Sequence, residues 1–224
     1  MGYYQEHPKF YISTDCIIFG YFDGKLQVLI RPRDMQPGKG ELSLMGGFVD
    51  DDESVDNAAK RTVRELTGLE DFYIEQVGAF GNVDRDPGER VVSICYFALI
   101  KAGNYRDELK SRFNAQWVDA KKVPALYGDH NLMVEKAEKI LQEKLAWSPL
   151  AFYLIPEKFT LTQLQMLFET IYGETLDKRN FRKKLTEENH IVTTGEIDKT
   201  TSKRGANLFR FDFDGYLNDG IFKL

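Results

Sequence analysis

The sequence is poor in cysteine: only Cys16 and Cys95, far apart and each inside an apolar run. No closely spaced pair of the kind used by zinc sites or disulfide frameworks exists, which fits a reducing compartment. Apolar runs of about 18 residues are missing, so no membrane span is expected. The start, MGYYQEHPKFYISTD, has no basic segment leading into an apolar one, so no secretory leader is expected either. A cytoplasmic location follows as the expectation. Low-complexity tracts and internal repeats are absent too. An excess of positive charge is also missing, since 30 Lys and Arg face 35 Asp and Glu for a net charge of −5.

What is present is enough apolar mass for packed cores: 42% hydrophobic and 13% aromatic residues over 224 positions. That length favours two domains of unequal size. The run AWSPLA at 146–151 is the natural boundary, giving expected domains at 1–147 and 148–224. The charge divides unevenly along the chain. Residues 1–147 hold 19 basic and 24 acidic side chains, whereas 148–224 hold 11 of each. Within the second part, 178–204 carries 8 basic against 4 acidic residues. Phosphate binding depends on such a local patch, which the chain average hides.

In the first part, two β-rich runs flank Asp23-Gly24, a pair suited to the positive φ of a tight hairpin. A Pro/Gly-rich stretch then reads as loop and short strand. A helix over about 54–67 presents Val55, Ala58, Ala59, Thr62, Val63 and Leu66 on one stripe, with Gly68 at its end. Strands at roughly 72–80 and 91–101 follow, and a helix at 132–146 closes the domain. The pattern is α/β, a mixed sheet with helices packed upon it.

Around that first helix the residues follow the spacing G-x5-E-x7-R-E-U-x-E-E-x-G-U, with U a bulky aliphatic. Gly47, Glu53, Arg61, Val63, Glu65, Gly68 and Leu69 stand in register. The chain thus resembles the Nudix hydrolases, and the loop DRDPGERVVSICYFAL resembles their ADP-ribose-type branch. Two departures stand out. Thr62 and Leu66 replace glutamates that the resemblance would place on one helix face to hold magnesium. Leu66 offers no oxygen ligand at all. Glu65 with Glu53 leaves residual metal binding open, while an Arg61–Glu65 ion pair at i,i+4 is the plainer account. No catalytic residues, metal or cofactor are therefore expected.

Loss of the metal face need not abolish the cleft. Arg31 and Arg33 sit where such domains line it, opposite Gly46, Gly47 and Phe48, with Asp84, Arg85 and Asp86 in the facing loop. Arginine and aspartate together hold sugar hydroxyls, and Phe48 offers a ring to pack on. Ordinary surface charges are the alternative. His130 reads as a structural residue at a helix start rather than a base.

After the boundary, helices at 161–172 and 178–189 precede two β runs joined by a polar, basic loop. Helix, helix, hairpin is the layout of an α+β winged helix. Asp177 suits the N-cap of the second helix. With Phe181 and Leu185 facing the core, Arg179, Asn180, Arg182 and Lys183 face outward, a set suited to bases and phosphates. Lys203 and Arg204 stand beside Gly205 at the hairpin tip, where a wing meets the phosphate backbone. A solvated cationic helix is the alternative.

A damaged Nudix box followed by a winged helix resembles the Nudix-related transcriptional regulators of bacteria. The resemblance implies a homodimer on palindromic double-stranded operator DNA, acting as a repressor answering a small-molecule effector. The altered box points to a neutral pentose, L-arabinose in particular, and thus to sugar utilisation. The alternatives are an active hydrolase of ADP-ribose-type substrates, an ADP-ribose-responsive regulator of NAD metabolism, and a scaffold whose winged helix docks a protein partner.

Overall fold

The computed structural model describes residues 3–101, 106–200 and 205–222. Strands β1 (Tyr11–Phe22) and β2 (Lys25–Pro32) form the expected hairpin. Its turn residues Asp23 and Gly24 both take positive φ, 53° and 68°. Around β1 the sheet also gathers β3 (Leu42–Ser43), β4 (Met45–Phe48), β5 (Tyr73–Phe80), β6 (Val91–Ile100) and β7 (Gln116–Asp119). The path runs β3-β2-β1-β6-β5, with β4 also on β1 and β7 also on β2. β1 and β6 are parallel and the other pairs antiparallel, so the sheet is mixed as expected.

Residues 13–20 of β1 are buried without interruption, because helices cover both sheet faces. Helices α1 (Val55–Thr67), α2 (Arg106–Phe113) and α3 (His130–Lys144) supply that cover. Alternation sorts the strand side chains between two cores. Cys16, Ile18 and Leu29 pack with Ala59 and Val63 of α1. Ile17, Phe19 and Val28 pack with Met133, Val134, Ala137 and Leu141 of α3. Helix α3 begins two residues before the expected 132, and α2 was not anticipated.

The second core continues into the C-terminal part through Leu145, Leu150, Ala151 and Phe152. Helix α4 (Leu161–Tyr172) opens with a capping box between Thr160 and Gln163. Helix α5 (Lys178–Glu187) follows, then the antiparallel strands β8 (Ile191–Asp198) and β9 (Ala206–Phe211), and α6 (Phe213–Asp219). Helix α5 stops short of 189 because Glu188 leaves the helix at ψ 113°. Phe152 stacks on Phe211 with ring centroids 4.1 Å apart, which fastens the hairpin to the residues linking the two parts. At the seam, Gln142 Nε2 donates to the Ile171 carbonyl at 2.7 Å and Thr170 Oγ1 to the Gly24 carbonyl at 3.3 Å. No helix among the described residues is long and apolar enough to cross a membrane.

Candidate effector cleft and candidate DNA-binding surface

Helix α1 is held at its start by Ser54, whose Oγ accepts from the Asn57 amide at 3.2 Å. In its C-terminal half lie the two substituted positions. Thr62 is buried, with its Oγ1 3.3 Å from Thr14 Oγ1, and Leu66 lines a neighbouring cavity. Gly47 passes so close that a Cβ there would sit 2.9 Å from Thr62 Oγ1. Arg61 gathers the remaining box carboxylates. Its guanidinium meets Glu53 at 2.5 Å, Glu65 at 3.3 Å, Asp50 at 3.4 Å and the Phe48 carbonyl at 2.9 Å. The hydrogen bond from Arg61 holds the Glu53 carboxyl below its usual pKa. These donors do not fit a magnesium ion: Thr62 offers only a hydroxyl, Leu66 no oxygen, and both glutamates are engaged by one cation.

Beside α1 opens a cavity of about 210 Å³. It brings together Arg31, Arg33, Gly46, Gly47, Phe48 and Asp86, drawn from β2, β4 and two loops. Asp84 is a correction. It is exposed and takes no part in the lining, because the turn at 82–85 sends the next side chain inward instead. That side chain is Arg85, only 6% exposed, which forks onto Asp129 at 2.9 and 3.1 Å and reaches Asp15 at 3.4 Å. Arg31 bonds Asp34 at 2.8 Å. Arg33 lies over the Tyr127 ring at 3.9 Å and donates to the Pro37 carbonyl at 2.9 Å. Among the described residues Arg33 has no carboxylate partner. At the mouth, Phe48 and Tyr11 stand 5.7 Å apart and both are exposed.

Among the further lining residues, Asp15 and Tyr127 were outside the expected set and His130 was read as structural. Asp15 and Tyr127 had no motif to announce them, though a carboxylate inside the apolar run TDCIIF is a signal in itself. His130 starts α3; its Nδ1 accepts the Leu44 amide at 3.1 Å, which leaves the proton on Nε2, 3.5 Å from Asp15 Oδ1. Burial lowers the His130 pKa, against the pull of Asp15 and Asp129. Burial also raises that of Tyr127, with the Asp86 carboxylate near enough to add to it but outside hydrogen-bond geometry.

On the other part, Asp177 Oδ1 caps α5 by accepting the Asn180 amide at 2.7 Å. Phe181 and Leu185 are buried against α4, and Arg179, Asn180, Arg182 and Lys183 are all exposed on the opposite side. Arg182 donates to Thr162 Oγ1 at 3.2 Å, and Lys183 pairs loosely with Glu187 at 3.8 Å. The hairpin-tip residues Lys203 and Arg204 lie outside the described residues.

Two family models match the chain: NUDIX domain over residues 12–142, and NrtR DNA-binding winged helix domain over 151–211. A relative from Acinetobacter baylyi, the ADPR responsive transcriptional repressor NtrR, is 34% identical over 216 residues, covering 94% of this chain and 86% of its own. The chain belongs to the NrtR family of Nudix-related transcriptional regulators. It is a DNA-binding regulator carrying a Nudix domain. The crystal structure of Shewanella oneidensis NrtR complexed with a 27mer DNA has a TM-score of 0.82 at 30% identity, covering 89% of this chain and 93% of that one. An ADP-ribose pyrophosphatase from Methanocaldococcus jannaschii is 29% identical over 141 residues, 62% of this chain and 78% of its own. The L-arabinose type is not supported, since the relative matched across both parts is named for ADPR. Losing two box carboxylates removes metal ligands but leaves the cleft arginines, so it says nothing for a neutral effector.

Proposed function

We propose that this chain is a repressor that binds operator DNA through α5 and the β8–β9 hairpin and is controlled by ADP-ribose in the cleft. One observation carries the effector: Arg33 lines the cleft without a carboxylate partner among the described residues. A neutral pentose leaves that charge uncompensated, whereas a diphosphate pairs with it through a guanidinium fork. Arg31 stands beside it, with Phe48 and Tyr11 as rings on which a base stacks. Asp86 closes the same rim, its carboxylate accepting the Gly88 amide at 2.8 Å. Operator palindromes read by a homodimer fit the same picture.

The domain binds without hydrolysing. With Glu53 and Glu65 held by Arg61, and Thr62 and Leu66 in the other two positions, no carboxylate face remains to neutralise the diphosphate or activate water. Purified protein with magnesium is expected to leave ADP-ribose intact; turnover on the order of 1 per second overturns that.

The deciding experiment is a titration of labelled operator complex with ADP-ribose and with L-arabinose, followed by fluorescence anisotropy. Release by ADP-ribose alone is expected. Release by L-arabinose and not by ADP-ribose sinks the proposed effector. Arg33→Ala is expected to retain operator binding and lose the response.

A further inference from the structure

The Tyr127 hydroxyl is buried without a hydrogen-bond partner among the described residues, and Asp15 Oδ1 has there only a long contact of 3.5 Å to His130 Nε2. Asp15 is 6% exposed and Tyr127 7%, and both line the cavity. The other Asp15 oxygen is occupied, accepting from Ser93 Oγ at 2.6 Å and from Arg85 Nη2 at 3.4 Å. Those two donors fix the carboxylate with Oδ1 left over. His130 Nε2 stands 3.5 Å from it, too long for a good hydrogen bond, and the Leu44 amide on Nδ1 prevents the ring from turning closer. Gly46 is what keeps Oδ1 open, since a Cβ there would come within 2.4 Å of it.

An acceptor that lines a cavity and has no close donor is free to take one from a bound ligand. We propose that Asp15 Oδ1, in the cavity that the Tyr127 hydroxyl also lines, is a subsite for the neighbouring hydroxyls of a sugar at the inner end of the effector. A carboxylate accepts from hydroxyls and repels phosphate, so this end of the cleft excludes a terminal phosphate. Exposure agrees with that order. The aromatic Phe48 is 53% exposed, Arg33 is half-buried, and Asp15 is 6% exposed. A ligand of base, diphosphate and sugar meets ring, guanidinium and carboxylate in turn. The inference rests on the cleft being the effector site proposed above.

Calorimetric titration of the full chain with ADP-ribose, ADP and L-arabinose tests it. Wild-type protein is expected to prefer ADP-ribose to ADP by about tenfold or more, the worth of a charge-assisted hydrogen bond. Asp15→Asn is expected to bring the two ligands to near-equal affinity, with ADP changed less than about twofold. Equal binding of both ligands by wild type, a measurement needing no variant, overturns the subsite. So does an equal loss for both in Asp15→Asn, which marks a structural residue. Tyr127→Phe, which leaves the Arg85 ion pairs intact, is expected to lose a few-fold for ADP-ribose alone. Binding of L-arabinose with neither nucleotide bound defeats the ADP-ribose proposal instead. In that event the subsite stands if Asp15→Asn weakens L-arabinose about tenfold, and falls if it does not.

Discussion

Arg61 and Arg85 each gather carboxylates, but in different surroundings. The Arg61 side chain is 32% exposed; its partner Glu53 is 14% exposed, but Glu65 and Asp50 are 61% and 64% exposed. The Arg85 side chain is 6% exposed, with the side chains of Asp15 at 9% and Asp129 at 18%. Water screens the outer carboxylates of the first cluster, whereas the second lies largely out of solvent in the cleft wall. The first occupies what is left of a metal site and can be lost with little cost to the fold. The second holds the cleft wall in shape, and the same residue types there become structural and ligand-facing at once.

The sharpest way to break that contrast is to remove each cation. Arg85→Met leaves Asp15 and Asp129 buried without a counter-charge and is expected to cost about 3–5 kcal/mol of stability. Arg61→Met is expected to cost about 1 kcal/mol or less. Urea denaturation of both variants measures the difference, and equal losses remove the distinction between screened and buried clusters.

The recognition helix offers the next effect in size, because its basic side chains are exposed and carry no core. Asn180→Ala or Arg182→Ala is expected to cost about 1–3 kcal/mol per lost base contact on the operator while leaving thermal stability unchanged. Lys203→Ala, at the expected wing tip, is expected to weaken operator and scrambled DNA alike. It should also flatten the salt dependence by about one unit per lost phosphate contact. Titrations at several salt concentrations on both DNAs distinguish the two kinds of contact. Unchanged operator binding by the α5 variants refutes the assignment of that surface.

The smallest effect probes the buried cluster by pH. Burial lowers the His130 pKa below its ordinary 6.5, so the unfolded chain takes up a proton that the folded chain resists. Its contribution is intact above pH 6.5 and is lost as pH falls from there through the lower folded value. The limit is about 1.4 kcal/mol per pH unit for one proton. His130→Asn, which keeps an acceptor for the Leu44 amide, is expected to flatten the slope between about pH 6.5 and 5. A slope unchanged in that variant assigns it to another group.

The fold was legible where local chemistry agrees with tertiary structure. Asp23-Gly24 between two β-rich runs marked the hairpin of β1 and β2, and the helical period marked α1, α4 and α5. Where the chain gave mixed signals, boundaries moved: α3 starts at the buried His130, and α5 stops at Glu188. The unannounced α6 is held by the long-range contacts of His190, whose Nε2 lies 3.1 Å from both the Ile221 carbonyl and Asp219. The cleft was half legible. Arg31, Arg33, Gly46, Gly47, Phe48 and Asp86 share one cavity. Asp84 is outside it, since spacing along a loop does not tell which of three charged neighbours turns inward.

By itself the sequence determined the pieces that depend on neighbours in the chain: the box spacing, the loss of two carboxylates at Thr62 and Leu66, and the basic outward face of α5. Helical and strand periods decide these, and they need no knowledge of what lies opposite. Only the tertiary structure decided which charges are buried, which are screened and which wait for a ligand. Asp15, Ser93, Tyr127 and His130 come from β1, β6, the 123–129 loop and α3. Their protonation, pairing and free lone pairs depend on distances across the sheet, which no local spacing records.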